Sequence, residues 1–298
     1  MRAESFKETF ESNSAQVTVF SPERSVGEKI SGYKRYAGTI AAFNFARSKK
    51  FDLVIGTSPP MTHSFFALLG AKIGGAKFVL DIRDPWTDAA IGLGNYSAFN
   101  PKIWAYKAIE FFSYNLADRI FVVTKELGEI VAKKTFNRKK ITLIENGSFW
   151  ERFRFREDDR ILARKLLKIP LGAKTAIYSG SFAKKGVVEM LKALSPHIRA
   201  KGFYVILLVP FDGSSEFSEI KKTISECNLS DSVRMVDLSL FRSDFEVARF
   251  FAAADLGLNP LPDAMAKYCI PAKTYDYLSS GLLVAGFGNV KGALARFT

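Results

Sequence analysis

Two cysteines, Cys227 and Cys269, and two histidines, His63 and His197, are the whole supply of soft metal ligands in 298 residues. They have no zinc-site spacing, and two cysteines make no disulfide framework. The expectation is a protein with no resident metal or other cofactor. Long apolar runs are also lacking, since none approaches the roughly 18–20 residues that span a bilayer. The opening stretch MRAESFKETFESN is charged and has no apolar centre, so it is not a signal peptide. The cytoplasm is the expected compartment. Two nucleotide signatures are missing as well. Without GxxxxGK[ST] there is no P-loop, and without GxGxxG after a predicted strand a dinucleotide oxidoreductase is disfavoured.

Basic charge, by contrast, is plentiful. The formal net charge is +13, with 21 Lys and Arg against 14 Asp and Glu in residues 1–150 and 22 against 16 in residues 151–298. Clusters stand at Lys133–Lys140 and Arg152–Lys168. A nucleic-acid protein would gather basic and aromatic residues in a known module, and none is recognisable, so no nucleic-acid partner is expected. Charge spread over both halves suits an anionic membrane surface or phosphorylated substrates.

Continuous apolar strands alternate with amphipathic helices, which predicts an α/β fold with parallel sheets covered on both faces. Strands are expected at Gln16–Phe20, Phe51–Ile55, Lys77–Ile82, Arg119–Val123 and Ile141–Ile144, then at Thr175–Tyr178, Tyr204–Val209, Val233–Val236, Leu256–Asn259 and Leu282–Phe287. Helices are expected between most of them, with Arg83–Asn100 irregular. The pattern pauses at Asn146–Glu157, where Asn146-Gly147 suits a turn. Two domains follow, residues 1–150 and 151–298. Ligands of such sheets bind at the carboxyl ends of the strands, so two facing domains would share a cleft.

The stretch Ala266–Gly286 organises the rest. Pro271 suits the first turn of a helix and Gly281 the position just past its end, with Tyr275 and Leu278 on one face. The free amides of Ala272 and Lys273 would meet a diphosphate, and Asp276, the one carboxylate in the stretch, would accept hydrogen bonds from a ribose. A surface helix capping an ordinary α/β unit has the same pattern. Upstream, strand Thr175–Tyr178 runs into SGSFAKKGVVE, where Gly180 allows close approach and Lys184 or Lys185 stands at a helix start. That is a phosphate-binding turn or a pair of solvated lysines. Arg83 and Asp84 follow a buried strand, where function collects in these folds, although a salt bridge or helix cap explains them equally well. His63 reads as a packed or capping residue.

In this order the pieces resemble the retaining glycosyltransferases of family 4, which have the GT-B fold. The nearest likeness is to bacterial surface-polysaccharide enzymes that transfer N-acetylfucosamine and similar sugars. The matching stretches are FDLVIGTSPP at Phe51–Pro60, KFVLDIRDPW at Lys77–Trp86, DRIFVVTKEL at Asp118–Leu127, ITLIENGSFWERF at Ile141–Phe153, YSGSFAKKGVVEML at Tyr178–Leu191 and IPAKTYDYLSSGLLV at Ile270–Val284. The resemblance implies two doubly wound Rossmann-like domains facing across a cleft, the first on the acceptor side and the second binding the nucleotide sugar. It puts Asp276 on the ribose and Lys185 on the donor diphosphate, with Gly180 and Ser181 in the adjoining turn and the amides of Ala272 and Lys273 beside it. Arg83, Asp84 and Lys185 are the implied catalytic residues. Tyr268 stands where the family keeps its first motif glutamate, Ser181 where an arginine often follows the turn glycine, and Arg83 or Asp84 where many members carry a histidine. Met1–Ser14 reads as the tail of the family's first helix, and Thr298 precedes its last elements, so the resemblance implies a chain shortened at both ends.

The implied activity is transfer of a sugar from a nucleoside-diphosphate donor, UDP-linked, to a saccharide or polyprenyl-linked acceptor in surface-polysaccharide synthesis. The implied place is the cytoplasm, peripheral to the inner face of the plasma membrane. A nucleotide-sugar epimerase of the same fold, or an inactive nucleotide-binding fragment, are the alternatives. An epimerase needs titratable groups for proton transfer, and this chain offers few.

Overall fold

The computed structural model describes residues 2–21, 32–48, 50–180 and 184–297. The chain divides into two units, Met1–Glu145 and Asn146–Thr298. In the first, the elements are α1 (Arg2–Ser12), α2 (Gly32–Ser48), β1 (Leu53–Ser58), α3 (Met61–Gly74), β2 (Lys77–Ile82), α4 (Trp86–Gly92), α5 (Pro101–Leu116), β3 (Arg119–Val122), α6 (Lys125–Ala132) and β4 (Ile141–Leu143). In the second they are α7 (Trp150–Phe153), α8 (Glu157–Leu166), β5 (Thr175–Ser179), α9 (Lys184–Lys201), β6 (Tyr204–Val209), α10 (Ser215–Glu226), β7 (Val233–Asp237), α11 (Asp244–Ala252), β8 (Leu256–Pro260), α12 (Asp263–Ala266), α13 (Ala272–Ser279), β9 (Leu283–Phe287) and α14 (Ala293–Phe297).

The strands of unit 1 pair in parallel in the order β1-β2-β3-β4, with Leu53 opposite Lys77 and Ser58 opposite Ile82. Phe78, Leu80 and Ile82 of β2 are fully buried and pack with Leu68, Tyr114, Ile120 and Leu127. Val79 and Asp81, which point to the other face, are buried too, and that double-sided burial is why this strand reads as nearly continuous apolar sequence. Local signals set the helix starts. Asn100 accepts from the Lys102 amide ahead of α5, and Thr124 accepts from the Leu127 amide at 3.1 Å ahead of α6. Thr124→Ala is expected to lower unit 1 stability by about 1 kcal/mol, the usual cost of an N-cap, measured by urea unfolding of the two proteins.

Asp81 lies inside this unit with its carboxylate fully buried. Arg2 of α1 forks onto it at 2.7 and 2.9 Å and also donates to the carbonyls of Ile144 and Glu145. A lone buried carboxylate would cost several kcal/mol, so this guanidinium ties α1 to the carboxyl ends of β2 and β4.

Gln16–Phe20 is not a strand. Among the described residues it joins no ladder, and Val19 and Phe20 stay exposed. Phe20 instead stacks on Phe45 at 4.9 Å, and Phe45 lies against Phe51 at 5.3 Å. The irregular stretch 83–100 contains α4, which is too short to show a period.

The parallel sheet of unit 2 has the order β7-β6-β5-β8-β9. The chain winds outward from β5 to β7, then returns to the other side of β5 for β8 and β9. The direction therefore reverses between β5 and β8, where doubly wound sheets open a crevice at their carboxyl ends. Two cores flank the sheet. One holds Tyr178, Val187, Leu191 and Leu207, and the other holds Ile177, Ile206, Phe251 and Tyr277. Strand β9 is an edge strand with Leu283 74% exposed, against the expectation that Leu282–Phe287 is buried.

The basic cluster Arg152–Lys168 is partly structural. Arg164 is wholly buried and donates to the carbonyls of Ala253, Pro170, Leu171 and Ala173, and Arg160 holds Asp255 at 2.8 Å. Sequence alone cannot separate a guanidinium that clamps loops from one that faces solvent.

Candidate functional site

The winding of unit 2 reverses between β5, which ends at Ser179, and β8, which ends at Pro260, the place where such sheets bind ligands. Helix α13 aims its N-terminus from this end of the sheet, anchored by three contacts. Asn259 is fully buried and donates to Thr274 Oγ1 at 2.8 Å. Tyr277 is fully buried, lies over Gly257 and accepts from the Ser179 amide at 2.9 Å. A Cβ on Gly257 would stand 2.3 Å from the Tyr277 ring, so the glycine inside an apolar strand makes room for that ring. Ser280 donates to the Phe153 and Asp276 carbonyls, fastening the C-terminal end.

Pro271 is the N-cap residue of α13 rather than its first helical residue. The amides of Ala272 and Lys273 fall in the first turn, where a helix supplies no acceptor of its own. The buried face is Thr274 and Tyr277, while Leu278 is 47% exposed and Tyr275 turns instead to Phe297 at 5.3 Å. Tyr275 and Leu278 thus share the less buried face of the helix. Thr274 and Tyr277 face the sheet because their polar ends meet buried partners there.

Two side chains of α13 carry charge, and they meet different neighbours. Lys273 reaches back to β5, donating to the Ser179 carbonyl at 2.8 Å with its nitrogen 3.8 Å from the centre of the Tyr178 ring. Its surroundings strip water from the ammonium and push its pKa down to about 7, with Cys269 opposing. Gly180, at φ +151°, sits against it, and a Cβ there would come 3.0 Å from the Lys273 nitrogen. Asp276 is 5% exposed, and its Oδ1 has no hydrogen-bond partner. Burial raises its carboxyl to about 6, the nearby Ser148 hydroxyl pulls the other way, and Asp244 adds to the rise. Buried polar atoms are almost always paired, so this Oδ1, with only the Ser148 hydroxyl near its carboxyl, could accept from a donor outside the chain.

The remaining expected site residues are placed as follows. Ser181 lies outside the described residues. Lys185 is the second residue of α9, and its side chain too lies outside them. Arg83 and Asp84 belong to unit 1, just past β2. Arg83 is exposed with its amide on the Ser58 carbonyl, and burial raises the Asp84 carboxyl while Arg83 lowers it. His63 is in the first turn of α3 beside the Thr62 hydroxyl at 3.4 Å. The structure therefore brings Gly180, Ala272, Lys273 and Asp276 to one end of one sheet. Sequence reasoning missed the Lys273 ammonium, Ser148, Asn259 and Tyr277. The signals available were a glycine inside strand β8 and a tyrosine three residues from Thr274. Among the described residues no group of three or more His, Cys, Asp or Glu is placed to hold a metal ion.

Residues 4–147 match the family described as Glycosyl transferase 4-like domain. No curated protein matches the sequence. Among solved structures, the chain is similar to a sucrose-phosphate synthase from Thermosynechococcus elongatus, with TM-score 0.66 and 14% identity over 87% of this chain and 62% of that one. It is similar to HepE from Anabaena in complex with UDP and glucose, with TM-score 0.65 and 15% identity over 98% and 72%. A glycosyltransferase from Rickettsia africae gives TM-score 0.59 and 13% identity over 98% and 76%. The chain spans less than two thirds of the length of the sucrose-phosphate synthase. Two parallel α/β sheets, a Glycosyl transferase 4-like match over the first, and these neighbours together give the chain the fold class of the GT-B glycosyltransferases, built from Rossmann-like domains.

Proposed function

We propose that the chain is a metal-independent glycosyltransferase that moves a sugar from a nucleoside-diphosphate donor to a saccharide or polyprenyl-linked acceptor, with retention at the anomeric carbon, in surface-polysaccharide synthesis. One observation carries the reading. The α13 amides, the Lys273 ammonium and the Asp276 carboxylate with its unpaired Oδ1 belong to one short helix, whose Lys273 reaches the end of β5 where the sheet of unit 2 reverses its winding. A nucleoside diphosphate presents the complementary groups, an anion for the helix start and ribose hydroxyls for a carboxylate.

In this proposal residues 151–298 bind the nucleotide sugar and residues 1–150 the acceptor. Charge develops on the diphosphate as the glycosidic bond breaks. The amides of Ala272 and Lys273, the Lys273 ammonium and Lys185 stabilise it, with Gly180 and Ser181 letting the phosphates approach the backbone. Arg83 and Asp84 act at the acceptor side of the reaction. A UDP-linked donor is the first choice because solved structures of the Anabaena relative contain UDP and UDP-glucose.

The test is transfer from radiolabelled UDP- and GDP-sugars to lipid-linked saccharides, with and without EDTA. Labelled product unaffected by chelation is expected. Dependence on added Mn²⁺ or Mg²⁺ contradicts the metal-independent reading, and conversion of UDP-GlcNAc to its 2-epimer without acceptor replaces transfer with epimerisation.

A further inference from the structure

Helix α5 is packed on one side only. Ile103, Glu110, Ser113 and Tyr114 are buried, and Glu110 spends its charge inside by accepting from Thr87, Tyr114 and Lys134. The opposite side exposes large apolar rings: Trp104 is 61% exposed, Phe111 41% and Phe112 49%. At 100° per residue, Trp104 and Phe111, seven apart, fall on one line, and the Phe112 ring meets Phe111 edge-on at 5.6 Å. Phe136, 86% exposed on the segment after α6, extends the patch by an edge contact with Phe111 at 5.5 Å.

The charges around these rings have one sign. Lys102 and Lys107 are exposed on α5, with Lys107 standing 5.5 Å over the Trp104 ring, and the one carboxylate of this helix, Glu110, is the buried one. Beside Phe136 the run Lys133–Lys140 has two inward members. Lys134 pairs with Glu110 and Asp88, and Lys140 is buried on the Asn115 and Ala117 carbonyls. Lys133, Arg138 and Lys139 are left exposed.

We infer that the exposed face of α5 with Phe136 is a docking surface for an anionic lipid bilayer, on which the rings enter the headgroup region and the lysines and arginine meet lipid phosphates. Aromatic residues set among cations suit that interface, where rings lie at headgroup level and basic stems keep their charges at the phosphates. A contiguous apolar patch of this kind is rarely left bare by proteins that work alone in water. A second copy of the chain is the poorer occupant, because an isologous contact would bring the same cations face to face. Among the described residues no helix is long and apolar enough to cross a membrane, so the contact is superficial.

The inference does not depend on the proposed glycosyl transfer, and its test needs no donor. The purified chain is sedimented with vesicles of neutral phosphatidylcholine and with vesicles containing 30% phosphatidylglycerol. Binding to the anionic vesicles only, weakening with salt, is expected. Phe111→Ser with Phe136→Ser should weaken it by at least tenfold, and Lys107→Gln with Lys139→Gln by about fivefold for each charge near the surface. Unfolding curves establish that the variants fold. No binding to either vesicle, or binding that neither variant changes, overturns the inference. So does a dimer in sedimentation velocity that the phenylalanine variant abolishes, which assigns the face to a second copy.

Discussion

Asp276→Asn is expected to make unit 2 more stable and to make it bind nucleotide less well. The carboxyl is buried with one oxygen unpaired, and desolvation, ahead of the opposing Ser148, raises its pKa from 3.8 to about 6. A carboxyl that holds its proton more tightly folded than unfolded favours the fold while protonated. That advantage is lost as pH rises from about 4 to about 6, and above it the ionised group burdens the fold by up to about 3 kcal/mol. Asparagine carries no such burden, so at pH 7.5 the variant should melt several degrees higher. The gap should fall to about half by pH 5 and close only below about pH 4, where the carboxyl is protonated in the unfolded chain as well. Nucleotide affinity should move the other way. Loss of charge-assisted hydrogen bonds to a ribose costs about 1.5–3 kcal/mol, or roughly 10- to 150-fold in Kd for UDP at pH 7.5. Calorimetric titration with unchanged affinity would remove Asp276 from the donor site.

Binding a diphosphate should charge Lys273. In the free protein its ammonium is desolvated, its pKa is about 7, and it donates to the Ser179 carbonyl. At pH 8 such a group is mostly neutral. A nearby dianion favours the charged form and returns the pKa toward its ordinary value. UDP binding at pH 8 should therefore take up most of one proton, about 0.8, visible as a dependence of the calorimetric heat on the ionisation enthalpy of the buffer. Lys273→Met fills similar space without a charge. It should abolish the uptake, weaken UDP binding about 10- to 100-fold and leave uridine binding nearly unchanged. Equal proton uptake by both proteins would mean that another group titrates, and equal loss for uridine and UDP would mean that the turn at Ser179-Gly180 has collapsed.

The comparison of sequence with structure has a physical pattern. Strands such as Lys77–Ile82 and Tyr204–Val209 were legible to the residue because both their faces are covered, and continuous burial leaves continuous apolar sequence. Gln16–Phe20 alternates like a strand but has no pairing partner, and intrinsic preference cannot make a ladder alone. The glycine, proline and charge pattern at Ala266–Gly286 located the α13 start and singled out Asp276, since those residues serve local backbone needs. What stayed hidden depends on contacts remote in sequence. Lys273 reaches Ser179 across 94 positions and Tyr277 reaches it across 98. Likewise Arg164, one of a run of cations on paper, is a buried clamp because four carbonyls converge on it.

The most direct test of the central claim, that the end of the unit 2 sheet binds a nucleoside diphosphate, is amide hydrogen exchange of the chain with and without saturating UDP. Protection concentrated at Ser179-Gly180 and over Ala272–Tyr277, with unit 1 unchanged, is predicted. Heat of UDP binding accompanied by protection elsewhere, and none at these two segments, would contradict it.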